Sequence, residues 1–419
     1  MTERGLIRRL RARLSEGERG FTMIEVAVAM LIFGVLIAAV ATSQGAAMNM
    51  IRTDRHRSVA ANLAAEEMDT IRATSFTELE AGRIETARDI DGVEYTVVRD
   101  SSWVIGDAAS GPCDAPADAE PRYLRIDVFV SWPVMSGVDP VTSNTVVTPP
   151  VGTFEEDAGH VAVRVLDRDG VGAAGVGVSL AGPQSDNQFT TADGCAFFAY
   201  LPAGPYTVTL NAAGYVSYQG ETAPSQIASV AIGGITSVAF DYDQAATLDI
   251  TMAGKDLGNP APAALSLVLA NTHLLPNGLK TYAGTGASRQ ITGLFPFADG
   301  YGVWAGTCAD ARPTDPPVST QAGAATAVTL GLPEVLVTVM QDDGSGGPLV
   351  PVVGAIVDAS HAPDASCTSG EAFAIGQTDE NGQMDFALPY GSWTVSINGS
   401  PSQVVLTPES EPTILEVLQ

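Results

Sequence analysis

The stretch from Phe21 to Ala41 reads FTMIEVAVAMLIFGVLIAAVA, twenty-one residues in which Glu25 is the sole charged side chain. As a helix rising about 1.5 Å per residue it spans roughly 30 Å, the thickness of a bilayer's hydrocarbon core. Arg4, Arg8, Arg9, Arg11, Arg13 and Arg19 precede it, the asymmetry that keeps a basic end in the cytoplasm and exports the chain beyond the apolar run. A secretory signal, a plain anchor and a more specialised segment all satisfy these facts, and Ala39-Val40-Ala41 offers a small-residue cleavage site for the first. Glu25 counts against the two simpler readings. A carboxylate at that depth costs on the order of 3 kcal/mol to insert, and neither a signal nor an anchor requires it. It calls for a cationic partner.

Arg19-Gly20-Phe21-Thr22-Met23-Ile24-Glu25, followed by the unbroken apolar run, resembles the class III leader of type IV pilins and type II secretion pseudopilins. The resemblance covers about the first 50 residues. It implies that a prepilin peptidase cuts between Gly20 and Phe21 and that Phe21 becomes N-methylated. It also implies that Glu25 serves assembly, its carboxylate meeting the amino terminus of a neighbouring subunit. Burying two opposite charges together offsets much of the cost of burying either alone. The implied partners are the prepilin peptidase, other pilin subunits and, before assembly, the inner (cytoplasmic) membrane. Loss of residues 1–20 would shift the net charge from −27 to −30, because six arginines leave with Glu3, Glu16 and Glu18.

Beyond the apolar run, Ile51, Val59, Leu63 and Ile71 with Ala60, Ala64 and Met68 continue a helical stripe, opposed by Arg52, Asp54, Arg55, Arg57, Glu66, Glu67 and Asp69. A helix over 21–73 without proline is therefore expected, with Gly34 and Gly45 as places where it bends. Val93, Tyr95 and Val97, and later Leu124, Ile126, Val128, Val130 and Trp132, alternate as half-buried strands do. The expected fold class is α+β over 21–147, a long helix on a small antiparallel sheet as in a pilin, followed by all-β Ig-like or transthyretin-like sandwiches. Thr148-Pro149-Pro150 opens an expected linker, 148–159.

An internal repeat comes next. Residues 161–210 and 335–397 align with Asp193-Gly194 on Asn381-Gly382, Leu201-Pro202-x-Gly204 on Leu388-Pro389-x-Gly391, and Tyr206-Thr-Val208 on Trp393-Thr-Val395. The Asp-Gly and Asn-Gly pairs are read as hairpin turns. These residues resemble the carboxypeptidase-regulatory-like, or transthyretin-like, β-sandwich, a module that implies structure and recognition and carries no peptidase site. Sandwiches are expected at 160–245 and 333–419, with a divergent third at 246–332.

The motifs argue against an enzyme. His56, His160, His273 and His361 stand far apart without metal-ligand spacing, and neither a nucleophile elbow nor a phosphate-binding glycine loop occurs. No cofactor is expected. Asp167-Arg168-Asp169-Gly170 and Asp342-Asp343-Gly344 offer oxygens for calcium but lack the spacing and distal Glu of an EF-hand, and common Asp-Gly turns give the same pattern. Asn398-Gly399-Ser400 matches a glycosylation sequon and is read as a turn. The net charge of −27 disfavours nucleic acid. On the exported side Cys113, Cys195, Cys308 and Cys367 are disulfide candidates with three possible pairings. Cys308 with Cys367 is the first expectation, Cys113 with Cys195 follows by elimination, and a buried thiol at Cys195 is the alternative.

A chain with this much material beyond the helix-and-sheet unit would crowd a packed shaft but not its tip. The expected role is a minor type IV pilin at or near the filament tip, presenting sandwich modules for adhesion or partner recognition, its surface ligand unspecified. A type II secretion pseudopilin is one alternative. A secreted or membrane-anchored surface protein with Ig-like modules, outside any pilus, is the other.

Overall fold

The computed structural model describes residues 22–79, 81–106, 111–135, 137–150, 157–307, 316–361 and 370–418, without the side chains of 46 and 77. The chain divides into two compact units. One comprises the helix to residue 71 with segments 85–98 and 128–143, and the other comprises 72–84, 99–127 and 144–419.

Helix α1 (Met23–Ala73) runs 51 residues, about 75 Å at the usual rise. Its second half carries part of the expected stripe: Ala60, Ala64, Met68 and Ile71 are buried, at spacings that put them on one helix face, Val59 and Leu63 are half-buried, and Ile51, expected on the stripe, is 68% exposed. Within the first unit His56 Nδ1 lies 2.7 Å from the Tyr95 hydroxyl, and the His56 ring stacks on Trp132. Arg55 pairs with Asp91 at 3.0 Å, both side chains about three-quarters exposed, so this ion pair adds little stability. Strands β1 (Gly82–Ile90), β2 (Val93–Ile105), β3 (Pro121–Ser131) and β4 (Val141–Val147) form a sheet in sequence order. Asp91 and Gly92 join β1 to β2 with φ of 55° and 77°, the left-handed pair that a two-residue hairpin needs.

The next stretch is a sandwich of β5 (Ala158–Leu166), β6 (Gly177–Ala181), β7 (Asp186–Phe189), β8 (Cys195–Pro202), β9 (Gly204–Asn211), β10 (Tyr215–Ser217), β11 (Ser225–Val230) and β12 (Ile235–Gln244). One sheet has the order β10-β12-β5-β8 and the other β11-β9-β6-β7. Val163, Val165 and Phe198 from the first sheet meet Val178, Val208 and Leu210 from the second in one core.

A smaller sandwich follows, with β13 (Ala246–Gly254), β14 (Leu267–Ala270), β15 (Leu279–Tyr282), β16 (Ser288–Leu294), β17 (Gly302–Ala305) and β18 (Ala325–Leu332) in sheets β16-β13-β18 and β15-β14-β17. The last has β19 (Glu334–Gln341), β20 (Val350–Pro351), β21 (Ile356–His361), β22 (Ala372–Gln377), β23 (Gln383–Ala387), β24 (Gly391–Ile397), β25 (Ser400–Leu406) and β26 (Thr413–Leu418). Its sheets run β20-β19-β23, with β26 beside β19, and β22-β21-β24-β25.

All three sandwiches share one topology. In each, the first strand lies between an antiparallel neighbour and the last strand, which runs parallel to it: β12 on β5, β18 on β13 and β26 on β19. The aromatic side chain near each fifth or sixth strand makes an equivalent bond, from Tyr206 Oη to Pro202 O, Trp393 Nε1 to Pro389 O and Tyr301 Oη to Phe295 O, at 2.7–3.0 Å. Thr190 and Thr378 likewise tie matching loops, each hydroxyl accepting one backbone N–H and donating to one carbonyl.

The Asp193-Gly194 and Asn381-Gly382 turns differ from expectation. Both are tight, with Gly194 and Gly382 at φ of 74° and 72°, but each carries the chain from one sheet to the other, β7 to β8 and β22 to β23. A side chain on Gly194 would collide with the Val165 carbonyl and one on Gly382 with that of Val339, so glycine here serves a close crossing as well as a left-handed φ. The two-residue hairpin of the last sandwich is Asn398-Gly399, where the sequon lies, with φ of 47° and 83° between β24 and β25.

Consecutive sandwiches are separated by single residues, Ala245 and Pro333. Val216 of the first sandwich and Ala387 of the last enter the core of the middle one. At the second joint the fully buried Glu334 carboxylate accepts the backbone N–H groups of Asp256, Leu257 and Asn259 at 3.2, 2.9 and 3.0 Å. Glu334→Ala would leave those donors unmet at a cost of about 3 kcal/mol. A lower urea midpoint for the transition is expected, with Glu334→Gln closer to the parent.

Candidate functional site

Gly20 and Phe21 lie outside the described residues, and the description begins at Thr22. Thr22 and Glu25 close the start of α1 reciprocally. The Glu25 N–H donates to Thr22 Oγ1 at 3.3 Å, while the Thr22 N–H and hydroxyl reach Glu25 Oε2 at 3.5 and 3.4 Å. This is a capping box, and it places a carboxylate at the positive end of the helix dipole. The Thr-x-x-Glu spacing was available as a sequence signal, yet reading Glu25 only as a membrane charge passes over it.

From there the helix is apolar on every side, and no face is buried: Val26, Met30, Phe33 and Ile37 are 42%, 71%, 65% and 54% exposed. A helix hydrophobic all round needs lipid or other helices around it. Mean hydropathy in this stretch of the helix reaches 2.7.

The described residues thus include one helix long and apolar enough to cross a membrane, and three β-sandwiches. Residues 17–41 match the family described as the prokaryotic N-terminal methylation motif. The N-terminal segment therefore carries a methylation motif of the type IV prepilin kind. The motif implies processing by prepilin peptidase and assembly with other pilin subunits. No curated protein matches the chain. Among solved structures, the Bacillus anthracis TIE protein is similar at 13% identity and a TM-score of 0.22, over 83% of this chain and 75% of that one. BcpA, the major pilin subunit of Bacillus cereus, is similar at 12% and 0.20, over 62% and 98%. The major pilin SpaD from Corynebacterium diphtheriae is similar at 10% and 0.20, over 65% and 99%.

A second cluster of interactions joins segments 72–84 and 99–127 to the first sandwich, inside the second unit. Cys113 is bonded to Cys195, 82 residues away. The Asp100 carboxylate accepts the Ala192 N–H at 2.9 Å and lies 3.8 Å from Arg83. Arg164 pairs with Asp114, and the Ile235 N–H donates to Ala117 O at 2.8 Å. Cys308 and Cys367 lie outside the described residues. In the chain-entropy account a loop of this length gains about 4.5 kcal/mol from closure. Cys195→Ser is expected to lower the thermal midpoint, and alkylation without reduction to leave Cys113 and Cys195 unlabelled in peptide mass spectra.

Among the described residues no three His, Cys, Asp or Glu side chains gather as metal ligands. Asp167 Oδ1 instead accepts the N–H groups of Asp169 and Val171, Asp342 that of Gly344 and Asp343 that of Ser345, the local turns such residues favour. All four histidines pack against aromatic rings: His56 on Trp132, His160 on Phe197, His273 on Phe297 and His361 on Trp393.

His160 has a further task. The β5–β8 register slips between Gly159 and Val161, and in this bulge Tyr200 adopts φ of 57°. Its N–H leaves the strand ladder and donates to His160 Nδ1 at 3.0 Å. A left-handed non-glycine residue costs roughly 1–2 kcal/mol, and bulges serve to re-aim side chains. Burial lowers the His160 pKa from 6.5 to about 4. The folded state therefore holds the ring neutral, so its contribution is complete above pH 6.5 and lost as pH falls toward 4, about 3 kcal/mol in all. Burial raises the Asp100 carboxyl, which acts in the opposite sense. His160→Asn, which keeps an acceptor near Nδ1, is expected to flatten the fall of melting temperature between pH 7 and pH 4.5.

Proposed function

We propose that the chain is a minor type IV pilin, cut between Gly20 and Phe21, N-methylated on Phe21 and incorporated at or near a filament tip. Its β-sandwiches serve adhesion or partner recognition there. The observation that carries this reading is the all-round exposed apolar half of α1 with Glu25 fixed at its start, directly continuous with a large β body. Residues 148–419 would crowd a shaft in which every neighbour bore the same load, and a tip relieves that crowding. Before assembly the apolar helix holds the chain in the inner membrane as a single pass, with the sandwiches exported.

Mass spectrometry of the protein from sheared filaments is expected to give an N-methylated Phe21 terminus, and a terminus after Ala41 would overturn the reading. Glu25→Ala removes both charge and cap, whereas Glu25→Gln keeps the capping geometry and loses the charge. If Glu25 neutralises a neighbour's terminus, both variants remain in the membrane fraction and fall about tenfold or more in the filament fraction, as an unpaired buried charge requires. Normal incorporation of Glu25→Gln would leave capping as the whole role. The shared leader also suits a secretion pseudopilin, for which gene deletion would abolish protein secretion and leave adhesion intact.

A further inference from the structure

A cleft of about 280 Å³ lies within the second unit, where the segment around Phe76 and Trp103 faces β7 and β8. One wall is aromatic, with Trp103 edge-to-face on Phe76 at 5.8 Å and on Tyr200 at 5.7 Å. Amides of Gln184 and Gln188 also line the cleft. Three observations make this more than a crevice between packed segments.

First, Tyr200 reaches the cleft from the left-handed bulge held by His160, and strain kept in a fold is a mark of a position under functional demand. Second, each amide offers two donors and one acceptor, the double capacity that matches hydroxyl groups, which donate and accept. Gln188 Oε1 is buried without a hydrogen-bond partner, so that amide gains by turning its oxygen toward a donor in the cleft. Third, none of the described lining residues is Lys, Arg or His. A phosphate, sulfate or sialic acid would find no cation among those residues, and a lipid chain would leave the amides unmet. The volume is just below the range of ligand cavities, roughly 300–1,000 Å³, which suits a single sugar ring. A ring with apolar C–H faces and hydroxyl edges matches both the aromatic wall and the amides.

We propose that this cleft binds a neutral hexose, its ring face against the aromatic wall and its hydroxyls on Gln184 and Gln188. The proposal relies on the exported-pilin reading only for where the sugar is met, because binding itself needs no filament. The test uses the full chain in a detergent without a sugar headgroup, titrated with D-glucose, D-galactose, D-mannose and N-acetyl-D-glucosamine, with sialic acid and a neutral decapeptide as controls, by saturation-transfer NMR and calorimetry. Saturable binding of at least one neutral sugar is expected, weakened about tenfold by Gln184→Ala, the equivalent of one lost hydrogen bond or about 1.4 kcal/mol. Gln184 is exposed, so that variant should keep the parent's melting temperature. Binding by none of the four sugars, equal binding of sialic acid, binding of the peptide alone, or sugar binding untouched by both Gln184→Ala and Gln188→Ala would each overturn it. Those outcomes leave the N-terminal reading intact, since Phe21 processing and Glu25-dependent assembly are read from filaments.

Discussion

A sandwich whose first and last strands lie side by side in the same direction takes the chain in at one end and lets it out at the other. Antiparallel closure would return the chain to its starting end, where a second module would need a long connection to find room. Parallel closure removes that need, and it is why Ala245 and Pro333 suffice between modules. Short joints in turn press neighbouring sandwiches together. Val216, Ala387 and the Glu334 carboxylate then make each joint a piece of a core or of a satisfied polar network, not a hinge.

The first sandwich is fixed on its other side by different means. There the chain reaches β5 through residues 148–157, and the interactions that matter are lateral: the Cys113–Cys195 bond, the Asp100 carboxylate on the Ala192 N–H and the Ile235 bond to Ala117. A covalent bond between distant residues acts on the unfolded ensemble, by removing conformations, as well as on the folded contact itself. The cleft beside Tyr200 depends on this fixation, since Phe76 and Trp103 come from one side of the joint and Tyr200 with the amides from the other.

Much of this was legible in residue order. The stripe Ala60, Ala64, Met68, Ile71 marks the buried face of α1, and the alternation through Leu124 to Val130 marks β3. The repeat from Leu201-Pro202 to Leu388-Pro389 marks matching strands. Strands β1 and β4 were not apparent, because GRIETARDI and VTSNTVV bury little and show no strong period of two. The Asp193-Gly194 and Asn381-Gly382 turns declare themselves as turns, but a local turn does not encode which sheet the next strand joins, so their sheet-crossing role was invisible. The Thr22 cap was legible and obscured by the larger question of charge in lipid. Tyr200 and His160 meet only through a register slip, and no pattern of hydrophobicity announces a bulge.

The parallel terminal strands also have a mechanical consequence. Tension entering a sandwich along its first strand and leaving along its last pulls the two past each other lengthwise. The seven residue pairs of β5 with β12, the eight of β13 with β18 and the six of β19 with β26 are then loaded together, in shear. A hairpin pulled at its open end would instead lose its bonds singly, in succession. A β body built this way resists extension along its own chain direction most strongly where its backbone pairing is longest, in the middle sandwich.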